Sequence, residues 1–303
     1  MNLAVQGIGV AGAFGSTLDA LRAAIRPCPP SGEPRLTDVD ALQRFLPARA
    51  LRRMDHFSQL ALLGAHLALE DAALSPDASG STGIVLATGY GPVATTFQFL
   101  DGLIDDGPAL VSPLAFAQSV HNIPAATIGI QLKMPGPCCT VSRFRGSVVD
   151  GLATARLWLA EGRVERVLFG AVDEYSPVLP HCRAQLAEPS DPHLPQGEGA
   201  AFLLLEQDTG KAKRGRIREI HTIGARELKN RTHEQTVFAD RPPKDHEIRA
   251  SCHVPHWGDM PVAQAFELAL ALILPENPST LCVSCDREDQ VHCIGATPSQ
   301  EQP

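Results

Sequence analysis

The stretch GPCCTVSRFRGSVVDGL, Gly136 to Leu152, holds the residue types best suited to nucleophilic chemistry. It reads as a strand, a sharp turn and a helix. A nucleophile in the first turn of such a helix gains from the positive end of the macrodipole, which favours a thiolate. Small residues there, Gly146 and Ser147, let a carbonyl approach backbone N–H donors, the arrangement of an oxyanion hole. Yet the turn is Phe144–Arg145–Gly146, and arginine cannot be the nucleophile: its guanidinium stays protonated and has no usable lone pair. A cation at a helix N-terminus also stands on the unfavourable side of the dipole. Either something other than helix stability placed Arg145 there, or the position drifted after its chemistry was lost. Cys138 and Cys139 are the substitute nucleophiles, but an apolar strand before the turn points to burial in the sheet or at an interface, where cysteine behaves as a small hydrophobe. Ser147 has no identifiable histidine partner and reads as packing or as backbone-bonded.

The elements that must position this turn alternate between strand and helix. LAVQGIGV is a buried strand, and Ser16 is placed to cap the helix TLDALRAAI. MDHFSQLALLGAHLALEDAAL has apolar residues every three or four positions and buries most of its circumference. TGIVLATGYG is a strand, TTFQFLDGLIDDG a helix, and SPLAFAQSVHNIPAATIGIQLKMPGP a loop entering a helix with Pro124 in its first turn. The helix SVVDGLATARLWLAEGR follows the opening turn. VERVLFGAVDEYS, GEGAAFLLLEQ and IREIHTIGA are further strands, the last two joined by the basic turn DTGKAKRGR, which reads as a solvated hairpin. Near-continuous apolar runs alternating with helices predict an α/β protein whose sheet is covered on both faces. After Ala225 the pattern weakens: 226–250 is polar, then PVAQAFELALALIL is a helix, and TLCVSC and QVHCIGA are short strands.

With 303 residues, 44% apolar and 20% charged, the chain is large enough for one big domain or two halves. Its formal charge of −8 argues against nucleic acid or an anionic membrane as the main partner. No run reaches the ~18 apolar residues of a spanning helix, and the start lacks a basic leader region. A cytoplasmic protein with eight reduced cysteines is expected. Cys282-x-x-Cys285, with Cys252, His253, His256, His292 and Cys293 elsewhere, suggests zinc at first sight. In a strand, however, positions three apart point to opposite faces, so no metal is expected. The GIGVAG glycines lack the acidic residue of a dinucleotide fingerprint.

Seven segments, in order over residues 1–206, give the chain a family likeness: VQGIGVAGAFG, RRMDHFSQLALLGAHLALEDAAL, GIVLATGYGP, SPLAFAQSVHN, GPCCTVSRFRGSVVDGLATA, VLFGAVDE and GEGAAFLLLE. The chain resembles the β-ketoacyl synthases, which condense acyl groups with malonyl-carrier protein. Aligned on Gly136–Pro137 and Thr140–Val141, the family's cysteine falls on Arg145. The His-Gly-Thr-Gly-Thr motif is absent, and where a Gly-His pair is expected, VPHWGDMPVAQ puts Asp259 after Gly258, with His256 before it. The resemblance assigns a structural role to His121 in SVHN, and to Glu198 in GEG a carboxylate held by backbone or basic groups. It implies a thiolase-like, layered αβαβα fold of two related halves, 1–206 and a shortened 207–297, with 298–303 a disordered tail.

The cysteine-less pattern is similar to chain-length-factor subunits and to the ketosynthase-like proteins of aryl polyene pathways. It implies a non-catalytic subunit that forms a heterodimer with an active ketosynthase, or a homodimer, and meets acyl groups on the phosphopantetheine of an acyl carrier protein. No dissociable cofactor is implied. In that role Arg145 plugs or polarises a vestigial pocket. Two alternatives stand beside it: an acyltransferase or malonyl decarboxylase with a displaced nucleophile, and a freestanding acyl-binding scaffold.

Overall fold

An apolar run threaded with glycines makes β1, Leu3–Ala11, buried along nearly its whole length. The first half continues with α1 (Leu18–Ala24), the single turn α2 (Ala48–Leu51), α3 (His56–Ala72), β2 (Thr82–Thr88), α4 (Val93–Asp105) and α5 (Pro113–Gln118). It closes with α6 (Ile123–Gln131), β3 (Cys138–Ser142), α7 (Ser147–Ala160), β4 (Arg166–Asp173), α8 (Val178–Leu186) and β5 (Gly199–Gln207). The second half holds β6 (Gly215–Gly224), α9 (Ala225–Leu228), β7 (Thr236–Arg241), α10 (Val254–Trp257), α11 (Ala263–Ile273), β8 (Thr280–Cys285) and β9 (Gln290–Pro298). The computed structural model describes residues 1–25, 32–75, 81–186, 194–228, 236–241, 250–277, 279–286 and 290–299.

The nine strands form one sheet in the order β3-β2-β4-β5-β1-β6-β9-β8-β7. In the first half β2 runs parallel to β3 and β4, and β5 is antiparallel to β4 and β1. Across the narrow seam of Leu3–Val5 on Gly215–Ile217 the scheme repeats: β9 is antiparallel to β6 and β8, and β7 runs parallel to β8. Among the described residues, a single parallel bridge between Phe238 and Ser251 stands in the place of β3. α7 and α11 form the middle layer. α7 touches strands of both halves from β2 to β9, and α11 packs on β7, β8 and β9 as well as β1 and β5. Outside, α3 and α6 cover the first half, while among the described residues only the single turn α9 packs on the outer face of β6 and β9. This is the layered αβαβα arrangement of two related halves, the second one shortened.

Packing follows from residue size. α3 lies so close to β1 that a Cβ on Gly7 would sit 2.2 Å from the Ala68 carbonyl oxygen, and one on Gly9 2.1 Å from that of Gly64. Asp55 caps α3 by accepting from Ser58 N at 3.2 Å, and Ala73 ends it in a left-handed conformation. α11 is buried on every side, from Ala263 to Ile273. Each of its leucines, its isoleucine and Phe266 contributes about 1.5–3 kcal/mol of transfer free energy.

Several boundaries differ from the sequence reading. Thr17, not Ser16, caps α1, because its hydroxyl reaches Ala20 N at 3.1 Å. The expected loop before α6 contains α5, capped by Ser112. α8 forms although Pro180 looks like a breaker; it stands in the first turn, where its missing N–H costs nothing. β7 lies inside the polar segment 226–250; 229–235 and 242–249 fall outside the described residues. β9 extends to Pro298, into the expected tail, of which 300–303 lie outside the described residues.

Candidate functional site

The turn after β3 feeds α7 through Gly146, whose φ of 85° favours glycine. The buried His292 ring lies against it: a Cβ on Gly146 would be 2.6 Å from His292 Cε1. Thr222 Oγ1 holds His292 Nδ1 at 2.9 Å. Gly146 offers α7 no side-chain cap, so the free N–H groups of the helix face the preceding turn.

Arg145 fills that turn. Its Nη2 donates to Asp259 Oδ1 at 2.9 Å, and its Nη1 to Asp240 Oδ2 at 3.2 Å and to the Met260 carbonyl at 3.4 Å. Asp240 comes from β7, and its Oδ2 also accepts from Ser284 Oγ at 3.1 Å. Asp259 follows α10, where Gly258 turns the chain at φ 92° against Gly197; a Cβ on Gly258 would lie 2.3 Å from Gly197 Cα. A second arginine, Arg183 of α8, donates from Nη2 to Asp259 Oδ2 and from Nη1 to the Asp259 carbonyl. Side-chain exposure falls inward through the network: 29% for Arg183, 13% for Arg145, 5% for Asp259 and none for Asp240.

Two cations and two carboxylates thus make a neutral buried cluster. Burial by itself would favour loss of the Arg145 charge, but Asp259 and Asp240 outweigh it and hold the guanidinium charged. They also offset its unfavourable place at the N-terminus of α7. Burial opposes ionisation of Asp259 too, yet Arg145 and Arg183 pull it down to about 2. Asp240 meets one arginine among the described residues, and burial pushes it up to about 6 despite Arg145 and Ser284. Burial likewise pushes the phenol of neighbouring Tyr90 up to about 12. The Arg145 Nη1 and Nη2 groups are engaged by these partners, and the guanidinium itself has no usable lone pair.

The structure brings together Arg145, Gly146 and Asp259 from the sequence reading. Phe144 beside them is 70% exposed and edge-on to Tyr90. Ser147 is buried, its hydroxyl without a hydrogen-bond partner among the described residues, so it packs rather than bonding to backbone. Of the two burials expected for Cys138, in the sheet or at an interface, the sheet does not supply one: β3 is the sheet's edge and Cys138 is exposed in the single chain, with Cys139 half-buried. Partial burial raises the Cys138 thiol, away from a reactive thiolate. His121 is at the surface with its ring over Gly91. His256 packs against Trp257, outside the arginine network. Cys282 and Cys285 belong to hydrophobic clusters on opposite faces of β8, as their spacing requires. Glu198 accepts from Thr37 N, Tyr175 N and His56. The basic hairpin is ion-paired rather than merely solvated: Arg214 binds Asp71, and Arg216 binds Asp208.

Asp240 and Arg183 are the residues that sequence reasoning missed. The run VFAD, apolar residues ending in an acid, is the signal that marks Asp240; nothing in the pattern of α8 marks Arg183.

Residues 31–240 match the profile of a family described as "Beta-ketoacyl synthase, N-terminal domain". The chain belongs to the β-ketoacyl synthase family. Among curated relatives, the actinorhodin polyketide β-ketoacyl synthase 2 of Streptomyces coelicolor is 28% identical over 188 residues, 56% of this chain and 46% of that protein. The chain thus matches about half the length of that relative. Among solved structures, the ishigamide ketosynthase/chain length factor superposes with a TM-score of 0.78 at 18% identity, covering 98% of this chain and 99% of the other. A type II polyketide ketosynthase in complex with its acyl-carrier protein superposes with a TM-score of 0.81 at 16% identity, covering 98% and 99%. These likenesses place the β-ketoacyl synthase chain in the thiolase-like fold.

Proposed function

We propose that this chain is a non-catalytic ketosynthase-like subunit that pairs with an active β-ketoacyl synthase and shapes the length of the acyl chain made there. The observation that carries this reading is Arg145, which stands in the nucleophile's turn and is clamped by Asp240 and Asp259. A thiolate needs an electropositive, partly open setting. Here the positive charge is the side chain itself, and two carboxylates consume it.

The surface supports the pairing. β3 is the edge of the sheet among the described residues, and α4 and α5 expose Phe97, Leu100, Ile104, Leu114 and Phe116. Backbone groups at a sheet edge, together with exposed apolar residues, suit a partner that extends the sheet. The two superposed structures are a ketosynthase/chain length factor and a ketosynthase with its acyl-carrier protein, which makes a synthase-like chain the natural occupant and a carrier-bound thioester the natural substrate of the pair. Native mass spectrometry of the tagged chain purified from its own cells tests the pairing. A stoichiometric complex with a cysteine-bearing ketosynthase is expected. Recovery of this chain alone, at concentrations where it is folded, would overturn the subunit reading. In the complex, Arg145→Ala is expected to alter product length, and unchanged products would remove Arg145 from that role.

A further inference from the structure

Away from the arginine network, four titratable side chains meet beneath the start of α4. Glu174 follows β4 and is 1% exposed, and its Oε1 accepts the Ala94 N–H of the first turn of α4 at 2.8 Å. The groups that face it are Asp55 and His56, where α3 begins, and Glu198 ahead of β5. The same three carboxylates face His56, whose Nε2 lies 2.9 Å from Glu198 Oε1. Asp55 Oδ1 is buried with no hydrogen-bond partner among the described residues. The adjoining Asp173 accepts from Thr88 Oγ1, Gly89 N and Tyr90 N, which fixes the loop entering α4. At its far end the α4–α5 hairpin is tied to the same region by Gln118 Nε2, which donates to the Arg53 carbonyl at 2.7 Å.

We propose that Glu174 and His56 form a proton-operated latch that holds the apolar α4–α5 hairpin on the body of the protein. With a proton on each, the cluster carries one positive and two negative charges, Glu198 paired with His56. With both protons lost, three carboxylates face one another in a buried site, and the cheapest relief is for water to enter as the first turn of α4 lifts away from Glu174. One backbone donor and the α4 dipole favour ionised Glu174, but burial, with Asp55 and Glu198 adding to it, outweighs them and pushes it up to about 7. For His56, burial lowers the imidazole, but the bond and charge of Glu198, with Glu174 and Asp55 behind, raise it above its ordinary value. Glu174 holds its proton more tightly in the closed, buried state than in the open, hydrated one, and the His56 charge beside it sets where that proton is lost. Closure is therefore complete at mildly acid pH and weakens as pH rises through neutrality. The latch regulates how well the face carrying Phe97, Leu100, Ile104, Leu114 and Phe116 is presented, whatever chain occupies it.

Hydrogen exchange of the full chain at pH 6 and pH 8, corrected for the intrinsic exchange rate at each pH, tests this without a partner. The opening constant of the 93–118 segment is expected to rise about tenfold from pH 6 to pH 8, the effect of one net proton lost over about one pKa unit. Glu174→Gln, which cannot ionise, and His56→Gln, which removes the second proton, are each expected to reduce that rise. Equal pH dependence in the wild type and both variants overturns the latch, as does a rise shared uniformly by α3, α7 and α11. A change in 93–118 with no change in any synthase pairing leaves the latch standing and bears only on the subunit reading.

Discussion

At the scale of single residues, the site is defined by what surrounds a misplaced arginine. Arg145 and Asp259 stand out in the sequence because the family resemblance puts a nucleophile at the turn that Arg145 occupies, and Asp259 follows a turn-forming glycine. What the sequence did not reveal is that they bond to each other, since 114 positions separate them. Nor did it reveal Asp240, which lies on a strand hidden in a polar segment. Removing one partner of a buried ion pair leaves the other uncompensated, so Arg145→Ala is expected to lower unfolding free energy by about 3–5 kcal/mol. Arg145→Ala/Asp240→Asn should recover part of that loss, because no lone carboxylate then remains at Asp240. Urea unfolding of the wild type, both single variants and the double variant measures the coupling. An Arg145→Cys variant is not expected to become a synthase nucleophile: Asp240 and Asp259 oppose a thiolate there. Its alkylation by iodoacetamide at pH 7 should be slow and should accelerate when both aspartates are changed to asparagine.

At the scale of elements, apolar or periodic segments were legible, the short β3 and β8 among them, while α5, α8 and β7 were not. The helices α3, α7 and α11 and the strands β1, β2, β4 and β5 follow from long apolar patterns that burial then confirms. α5, α8 and β7 have too few residues for a period to emerge, and tertiary contact decides them. α8 matters because it delivers Arg183 to Asp259. Within α3, His66 stacks on Phe45 at 4.4 Å, and its Nε2 is buried without a partner among the described residues. Burial lowers its imidazole to about 4. The unfolded chain therefore takes up that proton first, and stability contributed by neutral His66 is lost as pH falls from about 6.5 towards 4. His66→Phe keeps the stack and removes the proton site. Its melting temperature should fall less than that of the wild type over this range, as calorimetry across pH would show.

At the scale of the whole molecule, one family scaffold carries two unequal halves. Among the described residues, the first half has five strands, and the second has four and the Ser251 bridge. Duplicate strand order is invisible to local periodicity and emerges only once pairing is known, which is why the sequence supported the halves through family likeness alone. The sheet edge at β3 and the apolar residues on α4 and α5 are both exposed. Leu114→Asp/Phe116→Asp is expected to weaken assembly with a synthase while leaving the circular dichroism of the isolated chain unchanged, as size-exclusion chromatography with light scattering would report. The central claim is that the nucleophile's place is filled and chemically silent. Intact-mass spectrometry of the purified chain after incubation with acyl-carrier thioesters, beside an active ketosynthase, tests it most directly. The structure predicts an unchanged mass where the ketosynthase gains an acyl group; a stable acyl adduct on this chain, mapped to Cys138, Cys139 or any other residue, would contradict it.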